Sequence, residues 1–234
     1  MHSIINVLID LYYNNTKLTN EMKDHNNYTI DAVKNNIRTH NIIDENVLNA
    51  INVVKRSEYL PESYQSFARV DIDIPLSHEQ KMLMPSVEAK IMQSLNIKKN
   101  EDVLVVGSGT GYLASCVSLL CNKVHGIDYH DDFIKLSLQN KDKFSFDNLF
   151  FETKNITSHW EIIRNFNILI FTFSVESVDI IISNMNKNSR AFVFLGKDNS
   201  PIKSGIIIKK SEDTSYITEH ILQTNREPII HHND

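Results

Sequence analysis

The stretch Val103-Leu104-Val105-Val106-Gly107-Ser108-Gly109-Thr110-Gly111-Tyr112 decides how this chain folds. A run of β-branched and aliphatic residues leads straight into three alternating glycines, and a helical pattern follows. Valine favours a pleated, buried strand, and glycine admits backbone conformations closed to other residues. Where side chains are absent, a ligand's polar group can touch the backbone, and the next helix offers unpaired N–H groups to an anion. A glycine turn that serves only packing looks the same locally, so the surroundings must decide.

Downstream, residues 123–127, 148–152, 167–173 and 190–195 read as further strands after 102–106. Helical patterns fit between them near 110–121, 131–141, 156–164 and 176–186. Strands separated by helices of that length imply right-handed βαβ units and a parallel sheet. Two further runs, 205–210 and 216–223, follow each other with no room for a helix and predict an antiparallel pair at one edge. The expected fold is therefore α/β and Rossmann-like: a mostly parallel seven-stranded sheet, helices on both faces and an antiparallel edge. Upstream, Asp44 is placed to cap a helix through Val54, with Val47, Leu48, Ile51 and Val54 as its buried stripe, and Pro85 suits the first turn of a helix to about Leu95. Pro61 and Pro75 punctuate a long irregular connection. The division expected is a helical extension over 1–34 and a main domain over 35–234. That domain comprises a helical, substrate-side region (35–100) and the Rossmann-like core (101–234).

A chain with 41% hydrophobic and 23% charged residues can bury a core, which excludes a wholly disordered protein. Its 24 basic residues against 29 acidic ones give a net charge of -5, so no global basic field draws in nucleic acid. Cys116 and Cys121 cannot staple a fold of this size and suit a reducing compartment. Residues 1–13 carry no basic signal region, and no apolar run nears the roughly 20 residues of a membrane helix. The expectation is a soluble, cytoplasmic protein. No His, Cys or Asp group has metal-ligand spacing along the sequence, so no metal is expected, and His231-His232 reads as a frayed end.

A second feature supports a ligand at the glycine loop. The strand Lys123-Val124-His125-Gly126-Ile127 ends in Asp128, 21 residues after Gly107. A doubly wound sheet puts such a carboxylate beside the first loop, where it can accept both hydroxyls of a ribose. The dinucleotide fingerprint would need glycine at position 112, which is Tyr112. The spacing G-x-G-x-G is instead that of S-adenosylmethionine enzymes.

The chain also resembles the protein-L-isoaspartate O-methyltransferase family over roughly residues 35 to 230. The family's segment A-Y-x-D-x-x-L-P-I-G-H-G-Q-T-I-S-Q-P is matched without a gap by residues 68–85, with Ala68, Asp71, Pro75, His78, Gln80 and Pro85 in register. Residues 42–48 are similar to its I-x-D-E-R-V-L helix start, 148–160 to N-V-x-x-x-x-G-D-G-x-x-G-W, and 166–172 to F-D-A-I-I-V-T.

The resemblance implies a class I methyltransferase fold, S-adenosylmethionine as cofactor, and methylation of the free α-carboxylate of isoaspartyl residues in damaged proteins. It places Gly107, Ser108, Gly109, Thr110, Gly111, Asp128, Tyr129 and Asn155 at the cofactor, and His78, Gln80, Lys81, Leu83 and Pro85 at the substrate. Several positions depart from the pattern. The family's substrate-side hydroxyls are Lys81 and Leu83, its glycine before the glutamine is Glu79, and an acid of the first cofactor motif is Val105. Its Gly-Asp-Gly reads Lys154-Asn155-Ile156, so an uncharged Asn155 oxygen is left to accept from the adenine amine. Lys81 could replace the lost hydroxyls by pairing with the substrate carboxylate. Two alternatives stand beside repair activity. Met82, Leu83 and Met84 could line a greasier pocket for another acceptor, or the chain could be an inactive scaffold. The stripe Ile5/Leu8/Ile9/Tyr12 would then serve a partner or a homodimer.

Overall fold

The computed structural model describes residues 37–212 and 215–229. The chain divides into two compact units, 1–41 and 42–234. Of the first, the described residues 37–41 end in a turn, with the Asn41 N–H donating to the Arg38 carbonyl at 3.0 Å. The extension expected over 1–34, with its apolar stripe, lies outside the described residues.

The second unit opens with α1 (Glu45–Val53), capped as expected: the Asp44 carboxylate accepts from the N–H groups of Asn46 and Val47. Two donors that a helix start leaves unpaired are thereby satisfied. Val47, Leu48, Ile51 and Val54 are all buried. Two 3₁₀ turns, Arg56–Tyr59 and Glu62–Phe67, lead to a small hairpin of β1 (Ile74–Pro75) and β2 (Lys81–Met82). Strands of two residues carry no periodic pattern, which is why this stretch reads as a loop. The hairpin turn holds His78 and Glu79 both at φ 57°, the left-handed region that disfavours side chains. Next comes α2 (Pro85–Leu95), with proline in its first turn and Asn96 ending it at φ 48°.

The sheet is built from β3 (Asp102–Val106), β4 (Lys123–Asp128), β5 (Leu149–Thr153), β6 (Ile168–Val175), β7 (Arg190–Leu195), β8 (Lys203–Lys210) and β9 (Tyr216–Thr224). Their order is β5-β4-β3-β6-β7-β8-β9. The five strands β3 to β7 run parallel, and β8 and β9 add on antiparallel, as the sequence predicts. Residues 103–106 are all at most 2% exposed, the mark of a strand covered on both faces. One face packs Leu104, Val106, Leu169, Phe171 and Val193 against Ile163, Ile181 and Met185. Each such side chain contributes about 1.5–3 kcal/mol by leaving water.

The crossover helices are α3 (Tyr112–Ser118), α4 (Asp131–Phe144) and α5 (Asp179–Asn184). Gly111, at φ 84°, cannot sit inside a helix, so α3 starts after it rather than at 110. The helix expected over 156–164 is two 3₁₀ turns, Ile156–Ser158 and Trp160–Asn165. His159 between them (φ -142°, ψ 39°) breaks the helical path. No helix among the described residues is long and apolar enough to cross a membrane.

From β3 the chain steps outward through β4 to β5, then returns to β6 on the other side of β3. That reversal leaves a gap above the C-terminal ends of β3 and β6, where open α/β sheets bind ligands.

Candidate active site

A crevice of about 710 Å³ opens at that gap. The glycine loop is its floor. The N–H groups of Gly107 and Ser108 both donate to the Ile127 carbonyl, at 2.8 and 3.0 Å, and so tie the loop to β4. Gly107 has φ 79°, and a Cβ there would stand 2.3 Å from Thr172 Oγ1. The Thr172 hydroxyl lies 2.7 Å from the Gly107 carbonyl and donates to it. Gly109 (φ 53°) faces open space, since a Cβ there would meet only Leu76 Cδ1, at 3.8 Å.

Asp128 closes one side. Its Oδ2 accepts from the Gly109 N–H at 2.8 Å and its Oδ1 from the His130 N–H at 3.0 Å. An ionised carboxylate offers about four acceptor sites, and the Tyr129 N–H also bonds this one, so capacity remains for a ligand hydroxyl. Burial raises the Asp128 pKa, and the backbone donors of His130, Gly109 and Tyr129 work against that shift.

The other expected cofactor residues are arranged less evenly. Tyr129 and Asn155 line the crevice. Ser108 and Thr110 line an adjoining lobe of about 340 Å³ with Met82, Leu83 and Tyr112. Gly111 reaches neither space. It starts α3, where a Cβ would meet Ser137 Oγ at 2.9 Å. The Asn155 side-chain oxygen accepts from both the N–H and the hydroxyl of Thr157, at 3.0 and 2.8 Å. That oxygen caps the turn at Ile156, so what Asn155 has left to offer a ligand is its amide donor. Val105 is fully buried within β3.

Of the substrate-side residues, Gln80 and Lys81 line the crevice and Leu83 the lobe. His78 and Pro85 line neither; Pro85 is buried at the start of α2. Glu79 is exposed at the turn and lines neither space. Lys81 is already paired, its Nζ 2.6 Å from Glu227 Oε1.

Glu227 belongs to a segment that sequence reasoning missed. Beyond β9, the Glu227 carbonyl accepts from the Ser174 N–H and the Ile229 N–H donates to the Ser174 carbonyl, both at 2.8 Å. These bonds pull Arg226, Glu227, Pro228 and Ile229 into the crevice wall. Arg226 is 3% exposed. Its Nη2 donates to the Lys81 carbonyl at 2.7 Å and pairs with Glu227 at 2.9 Å, while Nη1 stands 3.8 Å from Asp73. Burial raises the Asp73 pKa despite Arg226. Burial also pushes Glu227 upward, but the Lys81 hydrogen bond and the Arg226 charge outweigh it and hold Glu227 below its ordinary value. Ser174 and Arg226 lie 52 residues apart, so no local pattern could announce this contact.

Behind the lobe, Arg56 bonds Glu88 at 2.5 Å and the Leu83 carbonyl at 2.7 Å. This buried pair anchors the backbone that carries β2 into α2. Desolvation pushes Glu88 up to about 7. The two cysteines are buried and free. Ser174 is fully buried and holds the C-terminal segment.

A parallel sheet that reverses beside β3, a three-glycine loop, and a carboxylate ending the neighbouring strand define a class I methyltransferase fold. The profile of the protein-L-isoaspartate(D-aspartate) O-methyltransferases matches residues 27–225, and the chain belongs to that family. A protein-L-isoaspartate O-methyltransferase of Myxococcus xanthus is 25% identical over 158 residues, 67% of this chain and 74% of that protein. A second, from Anaeromyxobacter sp., is 27% identical over 146 residues, 62% of this chain and 60% of its own length. Among solved structures, a protein from Plasmodium falciparum, assigned to the same methyltransferases and in complex with S-adenosyl-L-homocysteine, superposes with a TM-score of 0.72. Its identity is 20%, and the match covers 85% of this chain and 96% of that one. At that identity the likeness speaks for the fold alone.

Proposed function

We propose that the chain is an S-adenosylmethionine-dependent methyltransferase that esterifies the free carboxylate of isoaspartyl residues in proteins. The observation that carries this reading is the crevice itself. Its lining brings together the bare backbone of Gly107 and Gly109, the Asp128 carboxylate, and the ion-paired cluster of Lys81, Arg226 and Glu227. Family membership supplies the reaction type.

The residues present suit an adenosyl ligand. Gly109 leaves its side of the loop open, Asp128 keeps an acceptor site, and Ile127, Phe133, Ile156 and Phe173 give apolar walls. When bound, S-adenosylmethionine supplies an electrophilic methyl group on a sulfonium. Asp128 would hold a ribose hydroxyl, Gly107 and Gly109 would give the ligand room to approach backbone, and Asn155 would donate to an adenine ring nitrogen.

A carboxylate with an ordinary pKa near 4 is ionised at neutral pH, so no general base is required. The protein's work is to position the nucleophile and exclude water. Lys81 does the first in this reading. It exchanges its partner Glu227 for the incoming carboxylate while Arg226 keeps the C-terminal segment in place. The lost hydroxyls are thus replaced by charge. The test is transfer of labelled methyl from S-adenosylmethionine to an isoaspartyl peptide. Base-labile label on that peptide, absent from its aspartyl twin, is the expected outcome, and label on neither contradicts the reading.

A further inference from the structure

We infer that the mouth of the crevice carries a site for a divalent transition-metal cation, formed by His78, His130 and Asp132. One ligand atom from each of these side chains lies within 4.8 Å of the others. Their geometry follows from two elements meeting. His78 sits at the tip of the β1–β2 hairpin, and His130 and Asp132 flank the start of α4. The His78 Nε2 is 3.0 and 2.9 Å from the two Asp132 oxygens. The His78 and His130 rings stack 3.9 Å apart at 3°, and Phe133 meets both edge-on at 5.6 Å. The stacked rings lie in parallel planes, so one imidazole must turn out of the stack for both to reach the same ion.

The donor set is chemically specific. Two imidazole nitrogens and one carboxylate oxygen suit Zn²⁺ and its neighbours, not Mg²⁺ or Ca²⁺, which prefer all-oxygen shells. Donors of a tetrahedral zinc site, at about 2.0–2.1 Å from the metal, stand roughly 3.3 Å from one another. His78 and Asp132, with side chains 41% and 55% exposed, have room to reorient as the ion binds. Three protein ligands leave the fourth position to water.

Such an ion would act as a clasp. The hairpin carries Leu76, Gln80 and Lys81, and the start of α4 carries His130 and Phe133; all five line the crevice. Joining the two elements would hold the hairpin over the ligand site. Sequence spacing conceals the trio, because His78 and Asp132 are 54 residues apart.

The test uses Zn²⁺ added to the metal-free chain, followed by calorimetry and thermal unfolding. One equivalent should bind and raise the unfolding temperature. Binding should weaken at least tenfold in His78→Ala and in Asp132→Ala, while the double variant His231→Ala/His232→Ala should bind as the parent does. Co²⁺ should give the visible absorption of a four-coordinate ion in the parent and lose it in His130→Ala. Absence of saturable binding, or binding lost only with His231 and His232, overturns the proposal. Unchanged affinity in both His78→Ala and Asp132→Ala does the same. None of these readings depends on methyl transfer.

Discussion

Replacing Gly107 by alanine tests how tightly the floor of the crevice is built. At φ 79° an L-residue pays about 1–2 kcal/mol in backbone strain. The new Cβ would also stand 2.3 Å from Thr172 Oγ1, far inside contact distance. Thr172 must then rotate and give up its bond to the Gly107 carbonyl, worth about 1 kcal/mol. The sum is about 2–3 kcal/mol, which in a chain this long lowers the unfolding midpoint by roughly 4–12 °C. Made in a Thr172→Ala background, the same substitution meets no hydroxyl, so only the strain of about 1–2 kcal/mol should remain. Denaturant unfolding of the four proteins closes the cycle, with an expected coupling of about 1 kcal/mol. Equal losses in both backgrounds, within about 0.5 kcal/mol, would refute the packing argument.

Three further outcomes follow from the same geometry. Asp128→Asn keeps the shape but removes the charge behind the Gly109 and His130 bonds. Calorimetry should show S-adenosylhomocysteine binding weakened roughly 10- to 100-fold, about 1.4–2.8 kcal/mol, and a change below twofold would deny Asp128 its role. Glu79→Gly relieves a left-handed residue at an exposed turn and should stabilise the fold by about 0.5–1 kcal/mol in thermal melts. A loss there would mean that the Glu79 side chain makes a contact worth more than the strain. Burial pushes the Cys121 thiol up to about 12 and Cys116 higher still, so at pH 8 either is almost wholly protonated. A thiol reagent should label neither cysteine in the native protein and both after unfolding; rapid native labelling would contradict their burial.

What could be read from the sequence was what depends on local pattern. Val103 to Val106 before Gly107 announce a buried strand and a tight turn, and Asp44 and Pro85 mark helix starts by chemistry confined to a few residues. Residues 190–195 form a strand with the expected bounds, and Asp128 ends its strand beside the glycine loop. What escaped depends on distant contacts. Arg226 and Glu227 follow an edge strand with nothing to mark them, and bonds to the distant Ser174 and Lys81 carry them into the crevice. Lys81 reads as an unpaired cation until Glu227 is found beside it. Asn155 has the right residue type for a ligand acceptor, yet capping a 3₁₀ turn takes its oxygen first.

S-adenosylhomocysteine titrated into the full chain, with heat and unfolding temperature followed together, asks most directly whether the loop at Gly107 and the carboxylate of Asp128 grip an adenosyl group. One saturable site per chain and a rise in unfolding temperature are the result predicted. Flat heats and an unmoved midpoint at millimolar ligand would contradict it.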